Sequence, residues 1–346
     1  MRNMCVFTFF LMLFLCGLAN ADVFNLDSRF TNLKTVTVGD PGNSADKRYY
    51  SLGYGYVAYT YKIGKYEVTA KQYTEFLNAK AKTDPYGLYN TSMQYSLGCG
   101  ITRTTVSGNY VYSVDNTNAN KPVNFVSYWD SLRFANWLNN GQGDGDTETG
   151  AYTLNNYNSD GGSYITRNTN WTWAIASENE WYKAAYYKGG SLNSGYWDYA
   201  MQSDISTTPS NDITTPDAGN NANFWQDGGT SFNEGNKLTI VGEFENSESA
   251  YGTYDQTGNV KEWTEGISFI LSSNGYTSRQ IRGGAFNLNT NNITASKVES
   301  NDGTSEFADR GFRVVQAYTL QAVPEPSTLI GFGLPILLFG LRKLKN

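Results

Sequence analysis

Histidine is absent from all 346 residues. Without an imidazole the chain cannot run Ser-His-Asp or Cys-His catalysis, hold zinc or iron through histidine, or use imidazole as an acid or base. Cysteine is nearly as scarce. Of three cysteines, Cys5 and Cys16 fall in an N-terminal segment expected to be removed, so the mature chain keeps only Cys99. One thiol forms no internal disulfide and no all-cysteine metal site. Charge is thin as well, at 17% of residues, and no internal repeat of roughly 20–50 residues points to a solenoid or propeller. Much of enzymology is closed by composition alone.

What the chain does have is aromatic and amide surface. Aromatics make up 15% of it, with 26 Tyr and 8 Trp, and asparagine recurs throughout. The length suits one large domain or two ordinary ones, with ample chain to bury a core.

Both termini read as addresses. Arg2, an apolar run from about Val6 to Leu18, and Ala19-Asn20-Ala21 before Asp22 form the three parts of a secretory signal peptide cut after Ala21. The apolar run is too short for a comfortable membrane span. At the other end, Pro324-Glu325-Pro326 precedes an apolar stretch from Leu329 to Leu341 and the basic Arg342, Lys343 and Lys345. That is a rigid spacer, a short membrane-seeking helix and a basic stop on the cytoplasmic side. The order is similar to the PEP-CTERM sorting signal of Gram-negative bacteria that make exopolysaccharide. The resemblance implies processing by an exosortase near Pro324, Glu325 and Pro326, transient membrane insertion through the C-terminal helix, and a final place at the cell surface or outside the cell. The domains expected are therefore a signal peptide (1–21), a folded domain (22–322) and the sorting signal (323–346). Without the two ends the net charge falls from −6 to about −9. Such an acidic surface is a poor match for phosphate backbones, so no nucleic-acid partner is expected.

Three helices are predicted from caps and periodicity: Thr69 opening one over about 70–81, Ser127 with Asp130 opening a second, and Ser177 with Glu180 opening a third. Strand candidates are 56–63, 171–174, 260–263, 279–282 and 311–316, while 141–170 and 202–235 show no regular pattern. The class is α+β, loop-rich with few helices and small sheets.

The motifs Lys65-Tyr66-Glu67-Val68-Thr69, Ala176-Ser177-Glu178-Asn179-Glu180-Trp181, Ala222-Asn223-Phe224-Trp225, Gly258-Asn259-Val260-Lys261-Glu262-Trp263, Arg282-Gly283-Gly284 and Arg310-Gly311-Phe312-Arg313 follow one another in order. Together they resemble the formylglycine-generating enzyme, or sulfatase-modifying factor, family over about 35–318. The resemblance implies that family's variant of the C-type lectin fold. It also implies an oxidase using copper held by two thiolates, six and eleven residues after the Arg of the Arg-Gly-Gly turn. Here those positions hold Leu288 and Ile293, so no copper is expected, and neither iron nor zinc. Trp181, Trp263 and Phe312 are expected in the core.

The family's structural calcium sites map onto Asn223, the Phe224 carbonyl, Asn259, the Val260 carbonyl and Glu262. The acidic ligand expected between Phe224 and Val241 is Asp227 or Glu234, or is missing. Alternatively, Asn223 and Asn259 simply bond their own turns. Ligand contacts are expected at Arg282, Asn287, Asn289 and Arg313, on the lip of the family's active site; the competing expectation makes the two arginines buried cations held by carboxylates or carbonyls. The lip also resembles the variable ligand-binding loops of retroelement-diversified proteins on this fold.

Glu178, Glu180, Asp255 and Glu262 could supply the acid/base pair of a glycoside hydrolase, although Glu180 is already a helix cap. Three functions follow: an exported, non-catalytic binding module associated with exopolysaccharide or matrix; an enzyme of unrecognised type using the same pocket, with polar side chains converging near Arg282 and Arg313; or a structural matrix component. The first is preferred.

Overall fold

The computed structural model describes residues 33–155, 165–205, 209–212, 216–225, 238–268 and 278–318. In chain order its elements are β1 (Thr35–Val38), β2 (Tyr61–Gly64), α1 (Ala70–Lys80), β3 (Thr102–Val106), β4 (Asn109–Ser113), α2 (Tyr128–Asn139), β5 (Trp173–Ile175), α3 (Glu178–Tyr186), β6 (Lys261–Ser268), β7 (Ser278–Arg282), β8 (Glu299–Asp302), β9 (Arg310–Gly311) and β10 (Val314–Ala317). This is the loop-rich α+β chain that the composition implies.

Each helix starts where its cap sits. Thr69, Ser127 and Ser177 accept from the backbone three residues on, and the side chains of Gln72, Asp130 and Glu180 reach back to the cap N–H. Each such box is worth about 1 kcal/mol because it satisfies donors the helix cannot. The apolar faces of α1 and α2 meet around Tyr73, Phe76, Phe134 and Phe312, whose rings pack edge-on at 5.3–6.5 Å, except Tyr73 and Phe134, which stack at 6.1 Å. Trp181, Trp263 and Phe312 are fully buried, as expected from the sequence.

One sheet runs β1-β2-β10-β5, all antiparallel, so the last strand lies between the second and the fifth. The other runs β8-β7-β6-β9, with β9 parallel to β6. Strand extents differ from expectation in three places. The 311–316 candidate divides into β9 and β10, which join different sheets. Of the 56–63 candidate only 61–63 pair, in a strand that runs on to Gly64; upstream, the Val57 carbonyl accepts from Gly42 and the Val57 N–H donates to the Asn43 side chain, so local partners replace a ladder. Conversely, β6 runs past Trp263 to Ser268 through a bulge against β7. The hairpin of β3 and β4 was not predicted, although Ser107-Gly108 between them carries the positive φ angles, 50° and 83°, of a two-residue turn. The described parts of 141–170 and 202–235 carry no helix or strand.

One glycine positions the site. Gly258 has φ +91°, and a Cβ there would lie 2.2 Å from the Asn223 carbonyl oxygen. Only glycine lets the two motif segments touch, and the Asn259 N–H then donates to that same carbonyl at 2.8 Å. Among the described residues no helix is long and apolar enough to cross a membrane; both terminal address segments lie outside them.

Candidate functional site

The two arginines of the closing motifs are inside the protein. Arg313 is fully buried; its Nε and Nη2 donate to the two oxygens of Glu262, each at 2.6 Å, and it also reaches the carbonyls of Gly64 (3.0 Å) and Tyr254 (2.8 Å). Glu262 Oε2 accepts from Trp181 Nε1 at 2.7 Å as well. Three motifs far apart in sequence thus converge on one carboxylate. Arg282 is 1% exposed. It donates to Glu178 Oε1 at 2.5 Å and to the carbonyls of Ala295 and Lys297 at 3.1 and 2.7 Å, and it lies over the rings of Tyr54 and Tyr182. Both guanidiniums are therefore held by carboxylates and carbonyls, and neither faces solvent.

The four motif carboxylates occupy separate environments. Glu178 holds Arg282, Glu262 holds Arg313, and Glu180 both caps α3 and pairs with Arg167 at 2.7 Å. Asp255 is the one without an ion pair; burial pushes its carboxyl up to about 6, against the Gly242 N–H it accepts. Glu67 lies near it, accepting from Asn259 Nδ2 at 3.2 Å, and burial, then the charge of Asp255, raises its pKa well above the usual range.

The positions where the resemblance led thiolates to be expected, Leu288 and Ile293, differ in their surroundings. Ile293 is fully buried in a cluster with Tyr199, Met201, Ala222 and Phe224. Leu288 is half-buried, and its carbonyl accepts from the Trp225 N–H at 2.8 Å. Cys99 is buried, and burial raises its thiol to about 11, which leaves almost no thiolate at neutral pH.

The expected calcium residues divide into two groups. Asn223 and Asn259 come together, with Nδ2 of the first 3.1 Å from Oδ1 of the second; Thr239 N–H adds a bond to that oxygen at 3.3 Å, and the Phe224 carbonyl accepts from Asn211 Nδ2 at 3.2 Å. Val260 follows in the same turn, its N–H directed at Glu67 Oε1 at 3.4 Å. Glu262 stands apart, with both oxygens taken by Arg313 and Trp181, so it does not fit a metal ligand in this arrangement. Asp227 and Glu234 lie outside the described residues, as do Pro324, Glu325 and Pro326. Among the described residues no group of three acidic or thiol side chains is arranged to hold a metal.

What does reach the surface is the lip. Asn287 and Asn289 are half-buried; Asn289 Oδ1 accepts from Asn292 Nδ2 at 2.7 Å, whereas Asn287 Oδ1 is turned inward, buried and without a hydrogen-bond partner among the described residues. Beside them is Trp225, 41% exposed and bonded through its backbone to Leu288. Sequence reasoning treated Trp225 only as a motif residue; an aromatic next to an asparagine-rich lip was the available signal.

The fold and this buried architecture define a domain of the formylglycine-generating type on a C-type-lectin-like scaffold. The chain belongs to the sulfatase-modifying factor enzyme 1-like domain family, whose model matches residues 55–318. Among solved structures it is similar to CarF, at 21% identity, covering 83% of this chain and 99% of that one with a TM-score of 0.54. It is also similar to Treponema denticola variable protein 1, at 16% identity, 82% and 95% coverage, and a TM-score of 0.52. At these identities the likeness is one of fold. A search of curated proteins finds no match.

Proposed function

We propose that this protein is an exported, non-catalytic binding module that takes an extracellular polysaccharide at the lip formed by Trp225, Asn287 and Asn289. The observation that carries the proposal is Ile293. At the position where the family's second thiolate is expected, a fully buried isoleucine fills an apolar cluster, so the place of a copper ligand is occupied by packing. The exposed Trp225 indole offers a sugar a flat apolar face, and the half-buried Asn287 and Asn289 beside it carry amide groups suited to directional hydrogen bonds. The sorting signal expected at 323–346 supports the same assignment, because its exosortase processing goes with exopolysaccharide production.

Calcium enters as a structural ion only. Asn223, Asn259 and the carbonyls of Phe224 and Val260 would be its ligands, with an acid from the segment between Phe224 and Val241; Glu262 is not among them. Such an ion would pin the segment that carries Trp225.

Trp225→Ala should weaken binding of the host's extracellular polysaccharide at least about ten-fold while leaving the thermal midpoint within a few degrees, since the side chain is exposed. Unchanged affinity removes the lip from the proposal. An enzyme in the same pocket predicts instead that the polysaccharide is altered on incubation, which product analysis would detect.

A further inference from the structure

Away from the lip, the segment before β2 and the loop after α3 enclose an open cavity of about 570 Å³, lined by Asp46, Lys47, Arg48, Lys188, Asn193 and Tyr196 among others. Its chemistry is unlike that of the chain as a whole. The protein carries a net charge of −6, yet three cations line this one hollow.

Arg48 is fixed in place. Its guanidinium bonds Asp46 Oδ2 and Asp198 Oδ1, each at 2.9 Å, and the Trp197 carbonyl at 3.1 Å. Its charge is offset by two carboxylates, so it serves as a rigid wall. Lys47 and Lys188 differ: neither has an ion-pair partner among the described residues. Lys188 Nζ sits 3.9 Å from the centroid of the Trp197 ring, which holds the ammonium at the cavity without cancelling its charge. Outside the lining residues, two phenol rings follow Arg48 in the chain. Tyr49 is 44% exposed, with its hydroxyl anchored to Asp198 at 2.5 Å and Arg48 over its ring, and Tyr50 beside it is equally open. Asn193 also lines the hollow, its Oδ1 accepting from Ser44 Oγ at 2.5 Å.

The backbone lining this hollow is already paired. Ser44 N–H donates to Leu192, Asp46 and Tyr54 exchange both of their bonds, Lys188 N–H donates to Gly195, and Trp197 N–H donates to Tyr186. These paired groups are not open to an added peptide strand. Recognition therefore falls to side chains: two ammonium groups, an amide and anchored phenol rings.

We propose that this cavity is a binding site for a carboxylated sugar unit, a hexuronate within an acidic polysaccharide, with Lys47 and Lys188 contacting the carboxylate and the exposed face of Tyr49 against the sugar ring. This rests on the polysaccharide-binding function proposed above and adds a second, charge-selective site to it. Two sites on one chain would engage two units of the same polymer and raise its avidity.

The test uses calorimetric titration of the mature protein with polygalacturonate oligomers, neutral dextran oligomers and polyglutamate. The wild type should bind polygalacturonate, more weakly in about 0.5 M salt because exposed charges are screened, and the double variant K47A/K188A should lose at least about ten-fold in affinity. Lys47 is exposed and Lys188 half-buried, and an unchanged thermal midpoint would show the variant folded. No binding of polygalacturonate, or equal affinity in the double variant, overturns the site. Equal binding of polyglutamate overturns the sugar assignment and leaves a general anion site. If W225A abolishes binding of the host polysaccharide while K47A/K188A has no effect, the lip stands and this cavity falls. If wild-type protein binds neither the host polysaccharide nor polygalacturonate, both proposals fail together.

Discussion

Glu262 shows how a single residue organises this molecule. It is fully buried and satisfies Arg313 bidentately and Trp181 through the indole N–H. A buried ion pair of this kind is not by itself strong evidence of net stability, but breaking it strands a charge in a low-dielectric interior. Arg313→Met should therefore destabilise the domain by about 3–5 kcal/mol in urea unfolding, because Glu262 would lose its only cation. A loss below about 1 kcal/mol would mean that Glu262 is neutralised in another way. The same residue marks a limit of the sequence. That Glu262 and Arg313 belong to ordered motifs is visible in it; that they face one another, 51 positions apart, is not. Either a metal or a guanidinium satisfies a buried carboxylate, and only the fold decides between them.

Helix starts were the most legible elements, because a capping box is written within four residues: Thr69 with Gln72, Ser127 with Asp130 and Ser177 with Glu180 all form as their spacing implies. Strands depended on partners elsewhere in the chain. The segment 56–60 has strand-forming residues but finds Asn43 and Gly42 instead of a ladder, and β8 (Glu299–Asp302) has no distinctive pattern of its own. For the lip, Asn287 and Asn289 were legible as polar residues at the right distance from Arg282, whereas Trp225 was not, because its contact with Leu288 is made by backbone. The contact between the Asn223 and Asn259 turns depends on Gly258. Gly258→Ala would place a Cβ 2.2 Å from the Asn223 oxygen at a φ of +91°. It should cost about 2 kcal/mol or more and lower polysaccharide affinity as well, since the adjoining Trp225 would shift. Wild-type stability in that variant would show that the two turns part without penalty.

At the scale of the whole molecule, several buried acidic groups among the described residues have no ion pair, Glu67, Asp130 and Asp217 among them. Burial raises Asp130 and Asp255 to about 6 and Glu306 to about 7, and raises Glu67 well above the usual range. A carboxyl whose folded pKa exceeds its unfolded value contributes stability that is complete below about pH 4 and lost as pH rises through the folded value. Asp46, Asp217 and Glu180, held low by hydrogen bonds or by Arg48 and Arg167 despite their burial, act with the opposite sign, below about pH 4. Between these windows the raised groups dominate. Unfolding free energy should fall from pH 4.5 to pH 7.5, and Glu306→Gln, which keeps the bond from Asn90, should flatten that fall. Stability rising over this interval would contradict the assignment.

The chain keeps its family's scaffold, buries Ile293 in an apolar cluster, and leaves Trp225 exposed beside the half-buried Asn287 and Asn289. The most direct test of binding without turnover is calorimetric titration of the mature protein with its host's extracellular polysaccharide, in calcium and then in chelator, followed by analysis of the polymer. The account predicts saturable heat and an unaltered polymer, with weaker binding in chelator. An absence of heat in both buffers, or a polymer that emerges cleaved or oxidised, would contradict it.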